Sequence, residues 1–308
     1  KDQFSKTEAN TIQLLKKIKK NPKHLRTTKQ DYFIPDTINK AIALKKKHPK
    51  ALLLGGATDL ALRVTKNHEL LSCIIDLGNI AALKKVTQTK KQLSFGSGVS
   101  LETIKNACKD QYPAAYKMLA VFGSKQIRNL ATLGGNLGSA SPIGDMPPVL
   151  MAYNASLTLA GTKGKRKVSM YEFITGYRAT ILKNDEIIQE ISLPLPKVAT
   201  RISSYKVSKR KDLDISTVSG GFRLEFNTDK RIRSINLNYG GMAAMTKNAA
   251  KAEGYLKGKA WTRENVEKAM EMMEDDFTPI SDARSGEKAR MIMAKNLLMK
   301  FWTENQTL

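Results

Sequence analysis

Residues 8–20, EANTIQLLKKIKK, space their Ile and Leu at helical intervals with lysines between, which predicts an amphipathic helix that Asn21 and Pro22 end before a polar connection to about Gln30. From Asp31 the pattern changes. A helix near 37–48, capped by Asp36 or Thr37, leads to a short continuous apolar strand, ALLL, that runs into Gly55 and Gly56. A second strand is predicted at 73–78, and KVTQTKKQLSFGSG alternates as a hairpin does. Ser100 can cap a helix to about Tyr112, a further helical stretch reaches Ala120, and strands return at 155–160, 166–169 and 186–193.

Pro194 and Pro196 in LPLP mark the best boundary, because proline cannot donate to a ladder and stiffens an extended connection. Beyond them, strands at 201–209, 215–226 and 231–239 precede helices at about 246–256, 262–274 and 286–302, the order of a sheet with helices on one face. The expected organisation is α+β: an N-terminal helical extension and linker over 1–30, one domain over 31–195 and a smaller one over 196–308. A length of 308 residues with 41% hydrophobic side chains is enough to bury a core in each domain.

Charge changes this picture less than its size implies. Lys and Arg total 52 against 28 Asp and Glu, a formal net charge of +24, which raises a polyanionic partner as a first hypothesis. Nucleic-acid binding, however, wants basic residues gathered with aromatics or in a known motif, and the lysines here follow helix faces (Lys16, Lys17, Lys19, Lys20) or a hairpin (Lys163, Lys165, Arg166, Lys167). Solvated surface is the better account, and nucleic acid is not the expected partner. Two cysteines, Cys73 and Cys108, cannot build a disulfide framework, a four-thiolate zinc site or an iron–sulfur cluster. No apolar run approaches the roughly 20 residues that cross a bilayer. A cytoplasmic, reducing location is expected.

Two glycine-rich loops carry the chemistry, and neither is a Walker A or Rossmann fingerprint. In LLLGGATDL, 52–60, a buried strand ends in Gly55 and Gly56, where a backbone without Cβ atoms can close its N–H groups on a phosphate. The second stretch, from Ile127 to Ala152, holds Gly134, Gly135, Gly138 and Gly144 with three prolines, and cannot be one helix or one central strand throughout. Within it Thr132, Gly135, Asn136 and Ser139 are candidate hydroxyl, amide and backbone donors to phosphate, and Asp145 is the acid available for a sugar hydroxyl. Either loop alone could be a connecting turn cluster; both in one domain favour a bound dinucleotide. His24, His48 and His68 lack metal-ligand spacing, no G-x-S-x-G occurs, and the Met-rich helices from Met270 onward are core filler.

At these loops the sequence resembles the FAD-binding subunit of the molybdenum hydroxylases, in particular the flavin portion of bacterial xanthine dehydrogenase. LLLGGATDLALRVTK is similar to that family's first pyrophosphate loop and KQIRNLATLGGNLGSASPIGDMPPVLMA to its second. EIIQEISLPLP, SYKVSKRKDLDIS, NYGGMA and DARSGEKARMIMAKNLLMKFW are similar to its later segments, so the resemblance runs from about Asp31 to Trp302. It implies a two-part FAD-binding domain of the vanillyl-alcohol-oxidase (PCMH) type, followed by a smaller α+β domain of the CO dehydrogenase type that closes over the flavin.

Carried over by position, the resemblance puts Leu53, Leu54, Gly55, Gly56, Ala57, Thr58, Asp59 and Leu60 on the first FAD loop and Thr132, Leu133, Gly134, Gly135 and Asn136 on the second. It gives Phe122 and Ile188 apolar contacts to FAD, Asp145 a sugar or ribityl hydroxyl, and Lys206 a charge at the flavin site. No catalytic side chain and no metal ligand is nominated. Leu52 and Val121 depart from residues found in some relatives. The two cysteines also cannot supply the extra cluster of the relative that acts on hydroxybenzoyl-coenzyme A.

The implied activity is an oxidoreductase of purine metabolism that works in a hetero-oligomer. FAD receives electrons from 2Fe-2S clusters in a separate domain or subunit, a molybdopterin-binding large subunit performs the hydroxylation, and NAD is the acceptor. Three alternatives stay open: another flavoprotein reductase of this fold, a basic polyanion-binding module, and a diverged subunit that has lost FAD.

Overall fold

The computed structural model describes residues 2–18, 23–211 and 213–306. Helix α1, Glu8–Lys17, buries none of its residues, and Lys19, Lys20, Asn21 and Pro22, expected to finish and end it, lie outside the described residues. Part of the expected polar connection is instead a strand. β1, Lys23–Arg26, pairs antiparallel with β2, Asp31–Ile34, through a turn in which Gln30 N–H donates to Thr27 Oγ1. All four β1 side chains are exposed, so the strand has no apolar alternation by which sequence could announce it.

α2, Ile38–Lys47, begins where Thr37 accepts from Lys40 N–H and packs Ala41 and Ile42 inward. It is the crossover that lets β2 and β3, Leu52–Leu54, run parallel to β4, Cys73–Asp76, giving the sheet order β1-β2-β4-β3. A short helix α3, Ala61–Thr65, lies between β3 and β4.

A second sheet follows. β5, Val86–Gln88, and β6, Gln92–Gly96, form the expected hairpin. They join β7, Ser156–Gly161, β8, Gly164–Ser169, and β11, Ile187–Pro194, in the antiparallel order β5-β6-β11-β7-β8. The helix capped by Ser100 ends earlier than its pattern predicts: α4 is Leu101–Ala107, and Pro113 opens α5, Pro113–Ala120, because a proline is well placed only in a helix's first turn.

The long glycine stretch is more helical than its composition predicts. It holds α6, Lys125–Leu130, α7, Leu133–Gly138, and α8, Met146–Ala152, the first two opened by side-chain caps from Ser124 and Thr132. Every residue of α8 is buried. After β8 come a one-turn α9, Met170–Phe173, closed by a Ser169–Glu172 capping box, and a ribbon of β9, Ile174–Gly176, with β10, Ala179–Thr180.

Beyond Pro196 an antiparallel sheet runs β12, Arg201–Val207, β13, Val218–Phe226, β14, Ile232–Gly240, and β15, Lys247–Asn248, in that order. Helices α10, Ala250–Leu256, α11, Arg263–Asp276, and α12, Glu287–Glu304, follow. Phe222, Leu224, Leu237 and Tyr239 share a core with Met273, Leu298 and Phe301 of the helices. The alternate residues of β13 face the other way, and one must lack a side chain: a Cβ on Gly221 would overlap the Pro148 carbonyl of α8, while Arg223 Nη1 reaches Ala152 O at 3.4 Å. Both faces of this sheet are therefore covered, one by its own helices and one by α8.

Glu253 of α10 is the carboxyl in this half that burial displaces upward. Burial, helped by the charge of Asp276, raises its carboxyl to about 7, although Leu237 N–H and Asn248 Nδ2 donate to it. A carboxyl that holds its proton more tightly folded than unfolded contributes fully below its ordinary value near 4.5 and loses that contribution as pH rises through 7. Wild-type protein is expected to lose on the order of 2 kcal/mol from this group between pH 4.5 and 8, and Glu253→Gln to lose less, as read from urea midpoints across that range.

Candidate functional site

The first glycine loop leaves the carboxyl end of β3, where the parallel ladder Leu52↔Ile74, Leu53↔Ile75, Leu54↔Asp76 stops. This is the end of a parallel sheet at which ligands bind. Leu53 is held against the core beneath the loop, and Leu54, Gly55, Gly56, Ala57, Thr58 and Leu60 are half-buried. Ala57 takes the left-handed region at φ 63° and turns the chain into α3, whose first amide, Ala61 N–H, donates back to Ala57 O at 2.7 Å. Among the described residues, no backbone N–H from Gly56 through Leu60 donates to a protein acceptor. Five successive amides in one turn are left for water or a ligand, since a polar backbone group goes unpaired only at a cost. Asp59, exposed, meets Arg178 of the β9–β10 turn at 3.4 Å.

The second loop is pressed onto the first. A Cβ on Gly55 would lie 2.6 Å from Thr132 Oγ1, and one on Gly56 would overlap the Leu130 carbonyl oxygen. Glycine at 56 is thus required by close approach of one backbone to another, not by turn formation alone. Arg128, on α6, anchors this wall: it pairs with Glu102 of α4 at 2.6 Å and donates from Nη1 to Phe122 O at 3.0 Å and Gly123 O at 2.9 Å. Lys105 and Arg128 together hold the Glu102 carboxyl below its ordinary range.

The amides expected of the second loop are spent within the protein. Leu133 N–H donates to Val99 O, Gly134 N–H to Ser97 O, Gly135 N–H to Thr132 Oγ1 and Asn136 N–H to Thr132 O, while Ser139 Oγ donates to Asn136 O. What this loop presents outward is the exposed, side-chain-free flank of Gly135 and Gly138; the N–H of Thr132, a buried residue, donates to no described residue. Asn136 Oδ1 is buried with no partner in the protein. Ile188, on β11, closes against this flank, its Cδ1 4.0 Å from where a Cβ on Gly138 would sit. Phe122 packs on the same core from the α5–α6 turn.

Asp145 and Lys206 meet across the boundary between the two halves. Lys206 Nζ donates to Asp145 Oδ2 at 2.7 Å, with both side chains almost wholly buried, and Ser216 Oγ donates to Asp145 Oδ1. The sequence names Asp145 and Lys206 separately and gives no sign that they pair. Nor does it single out Ser216 or Arg128: each sits inside a quoted segment, but only burial separates it from a surface residue.

These features fit a dinucleotide such as FAD. A row of free amides suits a diphosphate, the glycine flank of α7 admits close approach, Asn136 Oδ1 is an orphaned acceptor, and Asp145 keeps lone pairs for a hydroxyl.

Comparison with known proteins agrees with that chemistry. Residues 23–196 match the FAD binding domain in molybdopterin dehydrogenase, and residues 203–305 match the CO dehydrogenase flavoprotein C-terminal domain. The chain is 34% identical over 260 residues to xanthine dehydrogenase/oxidase of Gallus gallus, covering 80% of this chain and 19% of that protein. It is 31% identical over 262 residues to xanthine dehydrogenase of Emericella nidulans, covering 81% and 19%. It therefore spans about a fifth of the length of these relatives.

Among solved structures, a chain of carbon monoxide dehydrogenase from Hydrogenophaga pseudoflava superposes with TM-score 0.83 at 22% identity, covering 90% of this chain and 96% of that one. A chain of quinoline 2-oxidoreductase from Pseudomonas putida 86 gives 0.79 at 25%, covering 91% and 98%. No helix among the described residues is long and apolar enough to cross a membrane. A glycine loop with open amides pressed against a second glycine loop, in a chain whose residues 23–196 and 203–305 match these two segments, places it in the FAD-binding family of the molybdenum hydroxylases, a family of oxidoreductases.

Proposed function

We propose that this chain is the flavin component of a xanthine dehydrogenase-type hydroxylase, holding FAD between the two glycine loops. The run of unpaired amides from Gly56 to Leu60, fixed in place by the contact of Gly56 with Leu130, carries this reading. In it Leu53 to Leu60 take the diphosphate, Thr132 to Asn136 line its second side, and Phe122 and Ile188 exclude water from a flat ring. Asp145 accepts from a hydroxyl, and Lys206 sets the local positive charge.

Bound FAD would supply the electron-accepting ring; the protein's part is to bind, orient and tune it. Electrons would come from 2Fe-2S clusters in another domain or subunit, fed by a molybdopterin-binding large subunit acting on a purine or similar heterocycle. The relatives named xanthine dehydrogenase support that substrate class. NAD is proposed as acceptor, and the exposed basic run Lys209, Arg210, Lys211 beyond Lys206 supports an anionic one. Two unpaired cysteines suit a reducing, cytoplasmic setting.

The test is direct. The full chain, purified and titrated with FAD, is expected to take up one flavin per chain and quench its fluorescence, and affinity purification from its source is expected to bring a molybdopterin-containing chain with it. A protein that stays colourless at excess FAD sinks the cofactor assignment, and one that binds FAD but pulls down no such chain sinks the partner assignment.

A further inference from the structure

Arg290, on the first turns of α12, is almost wholly buried, yet it belongs to none of the groups placed at the cofactor site. Its Nη1 donates to Thr217 O and, at 3.1 Å, to Gly241 O; its Nη2 donates to Asp282 Oδ1 at 2.8 Å; its Nε is buried without a partner. An arginine is costly to bury with one counter-charge at its edge, so the position it holds has a reason. Against the upward push of burial, the Arg284 amide and Arg290 keep the Asp282 carboxyl ionised, at about 2.

The two carbonyls it clamps lead to Asp145 by two routes. Thr217 follows Ser216, whose hydroxyl donates to Asp145. Gly241 donates its own N–H to Pro142 O at 2.8 Å, in the turn that carries Asp145. Gly241 sits at φ +81°, and a Cβ there would overlap Thr217 O, so the two backbone segments touch only because the residue is glycine. One guanidinium nitrogen thus fixes the chain just before β13 and just after β14 against each other, and both segments bear on the turn 142–145.

We propose that Arg290 is a positioning residue for the cofactor site: by tying Thr217 and Gly241 together it sets Ser216, and through Ser216 the Asp145 carboxylate, in the geometry that receives FAD. This rests on the reading of Asp145 as a contact to FAD. Nη1 serves both carbonyls while Nη2, fixed in the same plane, reaches the Asp282 carboxylate, a spread that the single nitrogen of a lysine lacks.

The experiment compares the full chain with Arg290→Met, Arg290→Lys, Asp282→Asn and Asp145→Asn, using FAD titration and amide hydrogen exchange on the FAD-free protein. Arg290→Met is expected to weaken FAD about tenfold, with Arg290→Lys between it and wild type, and to speed exchange at Gly241 while the α11 and α12 core amides stay protected. Asp282→Asn removes the counter-charge but keeps a side-chain oxygen that can accept from Arg290 Nη2; it is expected to weaken FAD about threefold, and it decides the matter should Arg290→Met fail to fold. Unchanged FAD affinity in Arg290→Met, or in Asp282→Asn if only that variant folds, overturns the proposal and leaves Arg290 a purely structural group. Weakening by Arg290→Met without weakening by Asp145→Asn overturns the route through Asp145. A wild-type chain that binds no FAD fails at the earlier reading and removes this one with it.

Discussion

Gly56→Ala is expected to weaken FAD binding at least about a hundredfold, a loss of about 2.7 kcal/mol, while the chain still folds. The added methyl has nowhere to go: it would overlap the Leu130 carbonyl oxygen and stand 3.1 Å from Ala131 Cα, both backbone atoms that cannot swing aside as a side-chain end can. Relief requires the loop of residues 55–60 to lift away from α6, which turns the open amides from a cradle into a splayed arc. The check is flavin fluorescence on titrating the apo-protein, with Gly254→Ala as control. Gly254 lies in α10, a Cβ there meets nothing within 4 Å, and alanine suits a helix interior better than glycine. FAD affinity within threefold of wild type in Gly56→Ala would mean that the loops need not touch.

The second large effect concerns the ion pair between the halves. Asp145→Ala leaves the Lys206 ammonium almost wholly buried and opposite no charge, and is expected to cost about 3–5 kcal/mol in urea unfolding, besides weakening FAD. A double variant, Asp145→Leu with Lys206→Met, removes both charges and fills their volume. It is expected to recover most of the stability and none of the FAD affinity, because a buried pair is held for what it does to the site more than for net stability. Recovery of both would make the pair a fold element with no part in binding; recovery of neither would point to packing around Ser216 as the cause.

Much of this architecture could be read from local pattern. The strands on either side of the first glycine loop, the hairpin before Ser100 and the β-then-α order after Pro196 all stand where apolar runs, alternation and helical spacing put them. The parts that could not be read depend on distant partners. β1 has four exposed residues and exists only because β2 offers it an edge. The first two helices of the 125–152 stretch hang on caps from Ser124 and Thr132 that any loop serine or threonine could mimic.

At the site, Gly56 could be read as a turn glycine but not as the neighbour of Leu130, and the second loop's amides could be read as donors but not as donors already engaged. Arg290 is one of several basic residues on α12 in the sequence; burial alone distinguishes it from Lys288 or Lys295.

Helix α8 gives the chain a property that neither matched segment has by itself. All its side chains are interior, and its backbone is laid against Gly221 and Arg223 of the other segment, so one short piece of polypeptide serves the core of its own segment and covers a sheet face of the next. Two modules joined by an exposed linker can be inherited or exchanged separately; these two share a wall, and a recombinant that took one alone would inherit an open interior.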